Sequence, residues 1–122
     1  MLKANIVIGK YKFKIKFLNT KTANKIYESL PIVANVNFWG DEIYFFTSLN
    51  LDLEENAKDI IAMGELAYWP NGNAIAIGFG PTPISRSDEI RLADKCNIWG
   101  KTDFNLTKLR TIKNQEKITI SI

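Results

Sequence analysis

The chain has 122 residues, 46% of them apolar and 24% charged, with a formal net charge of +3; this is the balance of one ordinary globular domain, expected over residues 1–122, and not of a disordered tail. It has one cysteine and no histidine, which excludes an internal disulfide, a thiolate metal cage and every catalytic arrangement that relies on imidazole. No apolar run approaches the ~20 residues of a membrane-spanning helix, and the single thiol points to a reducing, cytoplasmic home.

Tyr11, Phe13, Ile15 and Phe17 alternate with Lys10, Lys12, Lys14 and Lys16. A period of two gives a half-buried strand with one aromatic and one cationic face. Residues 4–8 precede it across Gly9-Lys10, so the chain opens on a β-hairpin. Residues 1–25 carry seven lysines and no acid. The strand alternation accounts for most of them as a solvated face that discourages edge pairing. The other reading, an arm for nucleic acid or acidic membranes, is not expected.

Thr20 and Thr22 offer N-cap hydroxyls, and Ala23, Ile26, Tyr27 and Leu30 follow at the spacing of one helical face, closed by Pro31. Residues 32–39 and 42–47 are rich in strand formers and are separated by Gly40-Asp41, which is hairpin chemistry. Residues 50–63 read as a polar connection with room for a helical turn. Their acids lack the spacing of a calcium loop, so no metal is expected.

Residues 65–69 and 74–79 flank Pro70-Asn71-Gly72-Asn73, a run of strong turn formers and the clearest hairpin in the chain. Gly80-Pro81-Thr82-Pro83 ends it. Residues 85–95 are polar, 96–100 suggest a short strand, 105–112 a short helix, and Ile118, Ile120 and Ile122 alternate in a terminal strand. The expected fold is all-β, a closed or nearly closed barrel of about eight strands with two short helices.

Two stretches, Asn37-Phe38-Trp39-Gly40-Asp41-Glu42-Ile43-Tyr44-Phe45 and Gly64-Glu65-Leu66-Ala67-Tyr68-Trp69-Pro70-Asn71-Gly72-Asn73-Ala74, resemble the signature segments of the small prokaryotic cyclophilin-like family. Phe79-Gly80-Pro81-Thr82-Pro83 and Asn97-Ile98-Trp99-Gly100-Lys101 extend the resemblance along nearly the whole chain. The resemblance implies a cyclophilin-like barrel, smaller than a true cyclophilin. A shared fold does not carry over an activity. True cyclophilins set an arginine and a histidine around the substrate proline; here histidine is absent, and Arg86 and Arg91 fall in the segment after Pro83 instead of on the corresponding strand. No catalytic residue is carried over.

Trp39, Glu42, Tyr44, Tyr68, Trp69, Asn73, Phe79 and Thr82 form the candidate ligand-binding set, because aromatic walls with a few polar groups are what small-ligand and peptide pockets use. The same aromatics would serve equally as core filling. Trp69 favours the pocket, since an indole beside a hairpin tip is poorly placed for a purely structural role. Glu42 is the only acid beside the set. Desolvated, it accepts a ligand hydrogen bond or acts as a base; the simpler expectation is a solvated strand end paired with a lysine. Cys96 reads as a small buried residue. Gly78-Phe79-Gly80 follows a strand, but Pro81 blocks the helix that a phosphate loop needs, so no cofactor is expected. The expected function is binding of a small molecule or extended peptide in an aromatic pocket. The alternative is a peptidyl-prolyl cis-trans isomerase, with weak or no turnover because the donor to the prolyl nitrogen is missing from its usual place.

Overall fold

Alternation in the opening segment produces β1 (Lys3–Ile8) and β2 (Tyr11–Phe17), an antiparallel pair that buries Ile6, Ile8, Phe13 and Ile15 and leaves the β2 lysines exposed. The computed structural model describes residues 2–122. Helix α1 (Lys21–Glu28) starts where the sequence offers a hydroxyl: Thr20 Oγ1 accepts the Ala23 N–H at 3.0 Å, and the helix buries Ala23 and Ile26. The remaining strands are β3 (Ile32–Asn35), β4 (Asn37–Phe38), β5 (Glu42–Phe46), β6 (Lys58–Ile61), β7 (Glu65–Trp69), β8 (Ala74–Gly78), β9 (Ile90–Lys101) and β10 (Lys117–Ser121). Short 3₁₀ segments occupy Pro70–Gly72 and Leu106–Thr111. Among the described residues no helix is long and apolar enough to cross a membrane.

Nine strands follow the order β3-β10-β1-β2-β9-β7-β8-β5-β4, and β6 joins β9 off that path. Laid flat at ~4.8 Å per strand, such a sheet would hold its edges roughly 38 Å apart. Its two end strands, β3 and β4, are nevertheless joined by Val36 alone. The sheet therefore has to curl until its edges meet, with the Val36 N–H on the Glu116 carbonyl at 2.9 Å and the Val36 carbonyl taking the Gln115 N–H at 2.7 Å. The result is an all-β barrel filled by one large apolar cluster. A second, smaller cluster of Ile61, Ala67, Ala76, Ile90, Leu92 and Cys96 lies between β6, β7, β8 and β9.

Several elements differ from the sequence reading. Residues 32–39 divide into β3 and β4 at Val36, whereas the expected second short helix is present, as the 3₁₀ segment Leu106–Thr111. Within 50–63 a single turn closes with the Ala57 N–H on the Glu54 carbonyl at 3.1 Å, and β6, absent from the sequence reading, follows it. The polar run before Cys96 belongs largely to β9, which begins at Ile90 and so includes Arg91, placed by the sequence reading in a loop. These strands exist because they pair: Ile61 lies opposite Ile90, Ile60 opposite Arg91 and Lys58 opposite Cys96. Residues 92–95 consequently face Asp59 alone, a wide bulge in β9.

A second irregularity in β9 matters for the core. Leu66 pairs with Gly100 and Ala67 with Ile98, so Trp99 is the extra residue. A bulge bends the strand and re-aims its side chains, and Trp99 is fully buried, 5.2 Å from Phe17 between ring centroids.

Asn97, also fully buried, ties three segments together. Its Nδ2 donates to Thr22 Oγ1 at 2.9 Å and to the Asp52 carbonyl at 2.8 Å, and its Oδ1 accepts the Glu54 N–H at 2.8 Å. Glu54 Oε2 in turn accepts from the Thr22 N–H and hydroxyl at 2.9 and 2.7 Å. The loop without secondary structure before β6 is thereby fastened to α1 and β9. Replacing Asn97 by the similarly sized leucine strands these partners, and buried groups that lose a hydrogen bond cost about 1 to 3 kcal/mol each. Asn97→Leu is expected to lower the unfolding free energy by about 2 to 3 kcal/mol in urea titrations, with an unchanged slope. An unchanged midpoint would mean that the network contributes nothing.

Candidate functional site

Strand β5 alternates sides. Ile43 and Phe45 enter the barrel core, which leaves Glu42, Tyr44 and Phe46 on the outer face. On that face β8 presents small residues: Ala74 pairs with Phe46, Ala76 with Tyr44, and Gly78 with Glu42. Ala74 is flanked on its other side by Trp69 of β7, and Ala76 by Ala67. Two alanines thus form a floor between aromatic side chains. The wide bulge of β9 supplies Leu92 and Ala93 as the facing wall, with Cys96 beside them. Trp39 completes the rim from the turn that precedes β5, where its N–H binds the Glu42 carbonyl at 2.9 Å. The cavity enclosed by these residues holds about 450 Å³, within the range of small-molecule sites.

Local chemistry fixes the walls. The Trp69 indole N–H reaches Asp94 Oδ2 at 3.5 Å, and Asn71 Nδ2 donates to the same oxygen at 2.8 Å. The turn between β7 and β8 is so clasped to the β9 bulge. Gly72 is required there, because a Cβ at this position would overlap the Trp69 ring. Tyr44 and Phe46 meet edge to face at 5.7 Å between centroids, an arrangement favoured by ring quadrupoles. Gly78 lets Ile90 close over β8 beside Glu42, where any Cβ would overlap the isoleucine methyl.

Glu42 is 6% exposed, which corrects the expectation of a solvated strand end paired with a lysine. Among the described residues it takes part in no ion pair, and no buried carboxylate oxygen is left sealed without a partner. Glu42 is one of the residues that line the cavity. Burial pushes its carboxyl up to about 7. Burial also pushes the neighbouring Cys96 thiol up to about 12, with the Glu42 charge adding to the shift, so Cys96 is a neutral wall and not a nucleophile.

Of the eight residues singled out from the sequence, the structure brings Trp39, Glu42, Tyr44 and Trp69 together on the cavity. The other four serve elsewhere. Tyr68 is fully buried in the barrel core, its hydroxyl 3.2 Å from the Leu49 carbonyl and 3.3 Å from Asn73 Oδ1. Asn73 adopts the left-handed conformation that ends the turn (φ 50°), and its carbonyl accepts from the Thr47 N–H and hydroxyl. Phe79 is buried beneath the Arg110 guanidinium, 5.6 Å from its ring centroid. Thr82 joins the loop after β8 to the Arg91 carbonyl and to Ser85. Adjacent positions on a strand face opposite sides, which separates Trp69 from Tyr68. The same alternation could have added Phe46 to Tyr44, and Ala74 to Ala76. Leu92, Ala93 and Cys96 had no such signal, because the bulge that brings them in is a pairing irregularity.

Arg86 and Arg91 line no part of the cavity. Arg91 is held by Glu89 at 2.6 Å and lies 3.5 Å from Asp59.

A profile described as Cyclophilin-like matches residues 2–121. The solution structure of a hypothetical protein from Archaeoglobus fulgidus is 32% identical in sequence and superposes with a TM-score of 0.80, covering 98% of this chain and 92% of that one. No curated protein matches the chain.

Proposed function

Because the chain belongs to the cyclophilin-like family, we propose that it uses the outer face of the barrel to bind a small molecule or a short extended peptide in the cavity between β5, β8 and β9. The observation that supports this reading is Glu42, a nearly buried carboxyl that forms no ion pair among the described residues, set among aromatic and aliphatic walls. Burying such a group is unfavourable unless a partner arrives. Sites that sacrifice stability in this way are the ones expected to serve binding. The reading contains no isomerisation step, since no arginine among the described residues lines the cavity. The buried free thiol of Cys96 is consistent with a reducing, cytoplasmic setting.

The test is an amide-shift map of the ¹⁵N-labelled protein against single-ring aromatic fragments and tripeptides. Shifts are expected at Tyr44, Phe46, Ala74, Ala76 and the bulge at 92–95, and a binder should raise the melting temperature by mass action. Perturbations confined to another face, for example the groove between Phe13, Phe104 and the β2 lysines, would overturn the reading.

A further inference from the structure

Building on the binding reading above, we propose that the cavity is a site for an alkylammonium group, a quaternary or methylated amine packed against Trp39, Tyr44, Phe46 and Trp69 with the Glu42 carboxylate as its counter-ion. The argument is one of matching. Aromatic faces carry negative potential and attract a cation placed against them. Four aromatic side chains and one carboxyl share this cavity, and no lysine or arginine lines it. An anion would meet both the rings and Glu42 with the wrong sign. A purely apolar ligand would seal the carboxyl away without a partner, at the penalty of an unsatisfied buried group. An alkylammonium head satisfies both halves of the wall, because its methyl groups fit the alanine floor and aromatic sides while its charge pairs with Glu42.

The charged groups around the cavity leave that role to Glu42. On β7, Glu65 is engaged by Lys58 of β6 at 2.8 Å. On β9, Arg91 is held by Glu89, and Asp94 accepts from Trp69 and Asn71. Beside Glu42 in the chain, Asp41 pairs with Arg110 at 2.9 Å. The remaining ionisable side chains on the wall are Tyr44 and Cys96, and the thiol stays protonated far above neutral pH. Glu42 is protonated below about 7 in the free protein, so uptake of a cation there releases a proton. Cation affinity must then rise with pH up to about 7 and level off above it.

Isothermal titration with benzyltrimethylammonium, its uncharged carbon isostere neopentylbenzene and phenylacetate, each at pH 5 and pH 8, tests the inference. The cation is expected to bind about a hundredfold tighter at pH 8 than at pH 5, two pH units lying below the Glu42 midpoint. In Glu42→Gln the pH dependence should vanish and binding at pH 8 should weaken about a hundredfold or more, to the level of the protonated parent. If neopentylbenzene or phenylacetate binds the cavity as tightly as the cation, or if the cation shows no dependence on pH, the ammonium assignment is wrong while the binding pocket stands. If none of the three shifts the cavity amides, the assignment fails as well. A pocket that then also rejects the wider set of fragments and tripeptides takes the binding reading down with it.

Discussion

Trp99→Ala is expected to remove about 3 to 5 kcal/mol of stability, the loss typical of deleting a large buried aromatic side chain. The indole is fully buried at the bulge of β9, within the barrel core, and packs on Phe17. Little around it can collapse to fill the space, because the bulge fixes the backbone on both sides. Trp99→Phe should behave differently. The indole N–H is the one buried side-chain polar atom without a hydrogen-bond partner among the described residues, and an orphaned donor is itself destabilising by about 1 to 3 kcal/mol. Phenylalanine loses some packing but removes that orphan, so its net loss is expected near about 1 kcal/mol. Urea unfolding of the three proteins decides the point. Equal losses for Ala and Phe would show that the N–H is satisfied and that indole shape alone matters.

Glu42→Gln is expected to stabilise the protein at pH 8, by up to about 3 kcal/mol if the full shift is realised. The carboxyl is held near 7 in the folded chain against 4.5 for an ordinary glutamate, through burial. Between those two values the native state keeps a proton that the unfolded chain has released. Stability therefore falls as the pH rises through that window and is fully reduced above about 7. Glutamine carries no charge at any pH, so the variant and the parent should agree near pH 4 and separate toward pH 8. Chemical denaturation at pH 4, 6 and 8 reads this directly, and parallel curves for the two proteins would refute a desolvated Glu42. The gain in the variant would come with the loss of cation affinity expected of it, the usual exchange between stability and a binding site.

Four of the eight residues singled out from the sequence line the cavity, because strand periodicity and turn chemistry are local. Glu42 and Tyr44 share one face of a strand two residues apart, and Trp69 and Trp39 flank turns marked by Gly72 and Gly40. Tyr68, Asn73, Phe79 and Thr82 were grouped with them by sequence neighbourhood, and the fold sends each to a structural task. The burial of Glu42 was the largest surprise. It depends on Gly78, which admits Ile90 beside it, and on a β9 segment whose composition is polar.

By itself the sequence determined the opening hairpin, the Thr20-capped helix, the hairpin around residues 70–73 and the all-β barrel, since each rests on contacts between near neighbours or on a period of two. Tertiary structure alone decided β6, the extension of β9 to Ile90 and the two bulges, because a polar segment becomes a strand only when a partner pairs with it. It also decided the cavity. The electrostatics of Glu42 follow from how much water its neighbours exclude, and those on β8 and β9 lie about 35 to 55 residues from it along the chain and are brought to it only by the tertiary fold.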